Sequence, residues 1–433
     1  MHVTEEELRQ LADNRLPAGP RKAVVRHLLT ACPPCLALAR ATLCPPRQGA
    51  PDYSGVLRRL GLSAVLAWND VAVESRSARE LWEHHLARLA PGPRLQAIRD
   101  QPALHTWGVF DLLLQEAGRR ERNPLESLDL AGAALAVAEL LPSEEYGEER
   151  IQDLRAGAWA AIGNLKRLSG DFEGAEEALQ EADDAVELGS GEPYERANVL
   201  SMKASLLTDL GQLEAAADLL ESAAVLARAI RDRHLEGRLR IQQAGNISWI
   251  DPARGFQLAE KGLLLLRQGK IEDRYLELGG IHLLAGCANE LGETDEARSI
   301  LDTYRYLYAS FPDPGTQGRL LLLDALISRR EGHLQEAETM LRQLVRHHAE
   351  HAMPFDLTLS TLEWAETLVR LGCYEEADEA MRQILPLIER WRVPVDVLRA
   401  WTIVQESIRA RTIRETAFRE LALTVRRRWH RGA

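Results

Sequence analysis

Long apolar runs are missing from this chain. No uninterrupted stretch of about 18 apolar residues occurs, the least a membrane-spanning helix needs. The opening MHVTEEELRQ is acidic and amphipathic where a secretory signal is basic and then apolar. Neither export nor membrane insertion is expected. Cysteine is sparse, five in 433 residues, two of them in Cys32-Pro-Pro-Cys35. That is too few for a disulfide framework and suits a reducing compartment, so the expected location is cytoplasmic. A Gly-rich phosphate loop, a nucleophile elbow and the kinase signatures are also absent, and strand patterns hardly occur. An enzyme is therefore not expected. The segment His347-His-Ala-Glu-His351 matches His-x-x-Glu-His literally, but it falls at the end of a repeat helix, where histidine is favoured by the helix dipole.

Hydrophobic residues make up 45% and charged residues 27%, which places the chain among soluble, folded proteins and allows two to four domains or one long array. A net charge of −12 argues against bulk nucleic-acid binding, which needs a surplus of Lys and Arg. The charge is uneven. Residues 1–60 carry nine basic against five acidic side chains and residues 409–433 eight against two, leaving −22 in between. An acidic body with basic ends suits recognition of basic protein surfaces.

Internal repeats dominate the rest. The line LKRLSGDFEGAEEALQEA (165–182) recurs from 207, 289, 328 and 369. Its glycines are Gly170, Gly211, Gly292, Gly332 and Gly372, and five residues after each comes Ala175, Ala216, Ala297, Ala337 or Ala377. Spacings of 41, 81, 40 and 40 between them imply one degenerate unit, whose second helix is expected over Pro252 to Arg267 with Gly255 in the alanine position. Twelve residues before each alanine sits Gly163, Ala204, Ala285, Ala325 or Ala365, while Gln243 breaks the series in the degenerate unit. The logic is a helical hairpin: glycine ends the first helix in a left-handed conformation, and paired small residues let the helices approach closely. Leu179, Leu220, Leu301, Leu341 and Met381 then fill the space between neighbouring hairpins.

This pattern resembles the tetratricopeptide repeat over about residues 150–390, with a period near 40 where the family norm is 34. The resemblance implies an all-α, right-handed α-solenoid that binds without chemistry along the face lined by first helices. Residues 106–141 read as a divergent first unit, and the last two helices as a cap. By place in the repeat, Asn164, Arg167, Ser205, Asn289, Arg329 and Glu366 are candidate partner-binding residues. Family members that clamp a peptide C-terminus use paired Lys and Asn on successive first helices; here only Asn164 matches.

At the other end, Thr4-Glu-Glu-Glu7 is a capping box that opens a short helix to about Ala12. A second helix is expected from about Pro20 to about Thr30, followed by Cys32-Pro-Pro-Cys35 and a third helix, LALARATL. Two thiolates two residues apart can hold one tetrahedral metal, with His27 as a third ligand and His2 available as the fourth. Cys44 is an alternative fourth ligand, and a metal-free thiol pair or a dithiol switch is another use of the same residues. These 45 residues resemble the zinc-binding anti-sigma domain of bacteria, which implies His2, His27, Cys32 and Cys35 as zinc ligands and a sigma factor as partner. Four residues separate His27 from Cys32 where that family usually has three, so the chain must leave the helix before Cys32.

The expected organisation is a zinc module over 1–45, a Pro/Gly-rich linker and helical connector over 46–104, the array over 105–390 and capping helices over 391–433. Ser77-Ala-Arg-Glu80 reads as a capping box opening a helix that stops at Pro91-Gly-Pro93. The expected role is a regulatory adaptor that sequesters a protein partner. A peptide or small-molecule sensor using the solenoid groove and a passive assembly scaffold are the alternatives.

Overall fold

The computed structural model describes residues 2–12, 15–29, 32–43, 73–120, 123–268, 273–390, 395–414 and 416–428. Cys44 and the Pro/Gly-rich stretch after it lie outside them. Among the described residues all regular structure is helical. The chain is an all-α, tetratricopeptide-like solenoid preceded by a small helical module, and it divides into two compact units, residues 1–206 with 222–232 and residues 207–221 with 233–433.

Unit 1 begins with α1 (Glu5–Ala12), α2 (Ala18–Leu29) and α3 (Pro33–Leu43). The capping box at α1 is formed: Thr4 N–H donates to Glu7 Oε2 at 2.8 Å, and Glu7 N–H to Thr4 Oγ1 at 3.3 Å. The connector departs from expectation. Ser77 lies inside a helix, α4 (73–84), and Pro91 opens α5 (Pro91–Asp100) instead of ending its predecessor. Proline lacks the N–H that a helix's first turn leaves unbonded anyway, so it favours that position. Next come α6 (Trp107–Arg119) and α7 (Pro124–Leu140), the divergent first hairpin, then α8 (Ser143–Tyr146), α9 (Glu148–Leu168) and α10 (Phe172–Leu188). Leu113, Leu130, Ala134 and Ile162 share one core.

The remaining hairpins are α11 (Pro193–Asp209) with α12 (Leu213–Ala229), α13 (Arg233–Ile247) with α14 (Pro252–Gln268), and α15 (Arg274–Leu291) with α16 (Thr294–Ala309). They continue with α17 (Pro314–Arg330) and α18 (Leu334–Glu350), then α19 (Pro354–Arg370) and α20 (Tyr374–Arg390), and end in α21 (Val395–Arg409) and α22 (Ala417–Arg428).

The five hairpin glycines all adopt positive φ, between 72° and 89°. Ala175, Ala216, Ala297, Ala337 and Ala377 are each fully buried, as are Ala204, Ala325 and Ala365. The closeness of the helices is measurable at Gly163, where a Cβ would fall 2.7 Å from Leu179 Cγ. In the degenerate unit α14 starts at the expected Pro252, and Gly255 is buried against Ser248. Gln243, also buried, donates from Nε2 to the Ala217 carbonyl at 3.1 Å and to Glu221 at 3.2 Å, and accepts from Arg240 at 2.8 Å. The bonds from Nε2 reach back to α12, and within the hairpin the close approach falls at Gly237 and Gly262, where a Cβ on either would lie 2.9 Å from the other's carbonyl oxygen.

Candidate functional site

The N-terminal module is organised around Val3, Leu8, Leu11, Leu16, Val24, Cys35 and Ala39. α2 ends at Leu29 and α3 starts at Pro33, so Cys32 lies between helices and Cys35 in the first turn of α3. The chain thus leaves the helix before Cys32, as the long His27 to Cys32 spacing requires. Val3 N–H donates to Cys35 Sγ at 3.2 Å, which brings His2 alongside. His2 Nδ1 lies 3.1 Å from Cys35 Sγ and 3.3 Å from Cys32 Sγ, and His27 Nε2 lies 3.1 Å from Cys35 Sγ. One ligand atom from each of the four residues falls within 4.8 Å of all the others. A tetrahedral zinc site with bonds of about 2.0–2.3 Å has ligand separations of roughly 3.3–3.8 Å. Two sulfurs and two imidazole nitrogens, separated by 3.1 Å at the closest and 4.8 Å at most, bracket that geometry and make a four-donor set suited to that ion.

The electrostatics favour a cation at the centre. Cys32 is held below the usual thiol range, first by the hydrogen bond from the Cys35 thiol and then by those from His2 and His27. Cys35 is pushed up by sharing that proton and by burial. Burial opposes charge on His2, but bonds to Asp232 and Cys32 outweigh it and raise the imidazole to about 9. A bound Zn²⁺ would replace the shared protons and hold both sulfurs as thiolates.

Outside the four donors, His2 Nε2 lies 3.0 Å from Asp232 Oδ2, at the end of the α12–α13 connection. A carboxylate on the far nitrogen of a ligating histidine fixes its tautomer and raises its basicity. The ring of Tyr194, in the first turn of α11, meets His2 edge-on at 5.3 Å between centroids. Glu7 pairs with Arg150 of α9, and Gly19 approaches α8 so closely that a Cβ would fall 2.1 Å from the Glu145 carbonyl oxygen. The module is therefore packed onto hairpins of its own unit, where the Pro/Gly-rich linker alone reads as a tether between separate bodies. Asp232, Tyr194, Arg150 and Gly19 carry no local motif, and nothing short of the tertiary arrangement singles them out.

The candidates on first helices do not form one site. In unit 1, Asn164 Oδ1 accepts from Arg167 at 3.0 Å, and Ser205 donates to the Ser201 carbonyl at 3.0 Å. In unit 2, Asn289 is 2% exposed, with an Oδ1 that accepts no hydrogen bond among the described residues. Arg329 and Glu366 do come together, 3.5 Å apart, with Glu363 at 2.7 Å from Arg329 and Arg370 at 2.6 Å from Glu366. Burial raises Glu363 even beside Arg329. A cavity of about 260 Å³ adjoins this network, with Trp249, Glu290 and Arg419 on its wall. His347 and His351 are occupied elsewhere: His347 Nε2 lies 2.9 Å from the Pro314 carbonyl oxygen, and His351 Nδ1 lies 2.8 Å from that of His347.

No family model matches the chain, and no curated protein matches it. Solved structures do. The chain is similar to aspartyl phosphate phosphatase F from Bacillus subtilis, with 12% identity and a TM-score of 0.52 over 89% of this chain and 94% of that one. What the two share is the fold. Weaker similarity extends to a Rap protein complexed with competence and sporulation factor, at 14% identity and TM-score 0.44 over 82% and 99% of the two chains. It extends also to a signal transduction ATPase with a tetratricopeptide repeat sensor from Pyrococcus horikoshii, at 13% and 0.46 over 89% and 63%. No helix among the described residues is long and apolar enough to cross a membrane.

Proposed function

We propose that the chain is a regulatory adaptor that holds a protein partner without chemistry, using a zinc module seated on a helical-repeat array. The observation that carries the zinc reading is the closed set of His2, His27, Cys32 and Cys35 with Asp232 behind His2. With no open position, zinc would supply structure and leave no room for a reacting water. A cytoplasmic setting suits two thiols kept reduced.

The partner we propose is a sigma factor, held by sequestration. Support comes from the anti-sigma resemblance of the first 45 residues and from the acidic body, which complements basic DNA-binding faces. The test is to purify the sigma factors of the source bacterium and titrate each against the zinc-loaded chain and against Cys32→Ser. One of them should bind the loaded chain at micromolar affinity or better, at least tenfold tighter than the variant. If none binds, the sigma reading fails. Zinc content well below one per chain, in protein purified under reducing conditions without chelator, overturns the metal reading separately.

The cavity beside Trp249 favours a second reading, a peptide or small-molecule sensor. Mass spectrometry of heat-released ligand from freshly purified protein distinguishes it, because a stoichiometric peptide or metabolite belongs only to that reading.

A further inference from the structure

α22 does not simply cover the end of the stack. Its apolar stripe of Phe418, Leu421 and Val425 is buried in the core around α19 and α21, while its other side chains reach α12, α15 and the α13–α14 connection of unit 2. Arg419 reaches Glu290 of α15 at 3.8 Å, and Arg427 reaches Glu214 of α12 at 2.7 Å. The guanidinium of Arg426 stacks 3.5 Å from the centroid of Trp249 and 5.6 Å from that of Phe355. At Gly211 the backbones nearly touch, since a Cβ there would fall 2.3 Å from Arg427 Cα. A helix of 12 residues, about 18 Å long, thus reaches from the last hairpin back to the turn between α11 and α12.

The fit is chemically complementary but imperfect. Both ion pairs are substantially exposed, with side-chain exposures of 54% and 37% for Arg419 and Glu290 and 44% and 58% for Arg427 and Glu214. Such pairs hold weakly and are screened by salt. Arg426 Nε is shut off from solvent and has no hydrogen-bond partner among the described residues. Burial pulls this arginine down to about 10, against the pull of Asp356 and Glu363. A cation stacked on Trp and Phe with an unmet donor is a good recognition element and a costly permanent resident.

We propose that this face of unit 2 is a docking surface for an arginine-bearing amphipathic helix of a partner protein, and that α22 is its resident, exchangeable occupant. The partner helix would present an apolar stripe at i, i+3 and i+7 with two consecutive arginines at its C-terminal end. Glu214 pairs with one of the arginines, the rings of Trp249 and Phe355 receive the other, and α22 yields its place. The proposal goes beyond the zinc module and the sigma factor and stands without either.

The probe is a labelled, end-capped peptide of residues 416–428, titrated by fluorescence anisotropy at low salt into the full chain and into full-chain Arg426→Ala/Arg427→Glu. Weakening α22 in cis should let the peptide bind at least tenfold tighter than it binds wild type. Raising the salt should weaken that binding. Adding Glu214→Arg to the variant should abolish tight binding, and a peptide carrying both arginines as Glu should not bind. Equal affinity for wild type and variant, or no binding to either, overturns the proposal. So does a variant that dimerises by exchanging α22 and leaves the peptide unbound, because the occupant is then a second copy. Circular dichroism checks the fold, and Arg427→Glu alone serves if the double variant does not fold.

Discussion

His2 Nε2 and Asp232 Oδ2 stand 3.0 Å apart, the imidazole from the first residues of the module and the carboxylate from the α12–α13 connection. The other ring nitrogen of His2 faces both cysteine sulfurs. Metal affinity and the seating of the module therefore share one side chain. Asp232→Asn should weaken zinc binding by about 10–100-fold, the usual cost of losing such a carboxylate, measured by competition with a chromophoric chelator. Unchanged affinity would reduce Asp232 to a docking contact.

The hairpin interfaces leave no volume to fill. Ala297 and Ala337 are fully buried, so Ala297→Leu and Ala337→Leu should each destabilise by about 1–3 kcal/mol through overpacking. Denaturant titrations followed by circular dichroism measure this, and unchanged midpoints for both variants would mean that the helices have slack there.

Two glycines of α15 and its end should respond oppositely to alanine. Gly292 holds φ at 83°, so Gly292→Ala should cost about 1 kcal/mol through left-handed strain. Gly279 lies within the helix with nothing near a would-be Cβ, so Gly279→Ala should stabilise by about 0.5–1 kcal/mol. Effects of the same sign in urea titrations would contradict the assignment of the turn.

His282 supplies a pH signature for unit 2. Burial and the nearby Arg319 lower it from 6.5 to about 4, with its Nδ1 2.9 Å from the Tyr308 hydroxyl. The unfolded chain then binds more protons between those values, so stability should fall as pH drops from about 6.5 to about 4 and level off below. His282→Gln should flatten that part of the profile of melting temperature against pH. An identical slope in both proteins would assign the loss to other groups.

The hairpins are legible in the sequence because close helix packing needs small residues at fixed separations, and Gly170 or Ala337 leaves that mark whatever surrounds it. The His/Cys cluster is legible for a similar reason, since two of its members sit in one tight Cys-x-x-Cys turn. Asp232 and Tyr194 are not, because an aspartate at a helix connection and a tyrosine in a first turn are ordinary until the module folds against them. Ser77 misleads for a physical reason: a Ser-x-x-Glu spacing also suits the exposed face of a continuous helix, and only the preceding turn of α4 decides between the two. The course of α22 is equally silent, since a basic amphipathic helix reads the same whether it only ends the stack or also reaches back to α12 and α15.

Gln243 gives the array an order. Contacts made only of small and apolar side chains are alike in kind, so a hairpin held by them alone would accept any neighbour. Gln243 instead bonds to the Ala217 carbonyl and Glu221 of α12, with Arg240 of its own helix joining Glu221 as well. The α13–α14 hairpin thus carries an address for its predecessor. A chain with its hairpins permuted would strand these buried groups at about 1–3 kcal/mol each, so this joint resists shuffling.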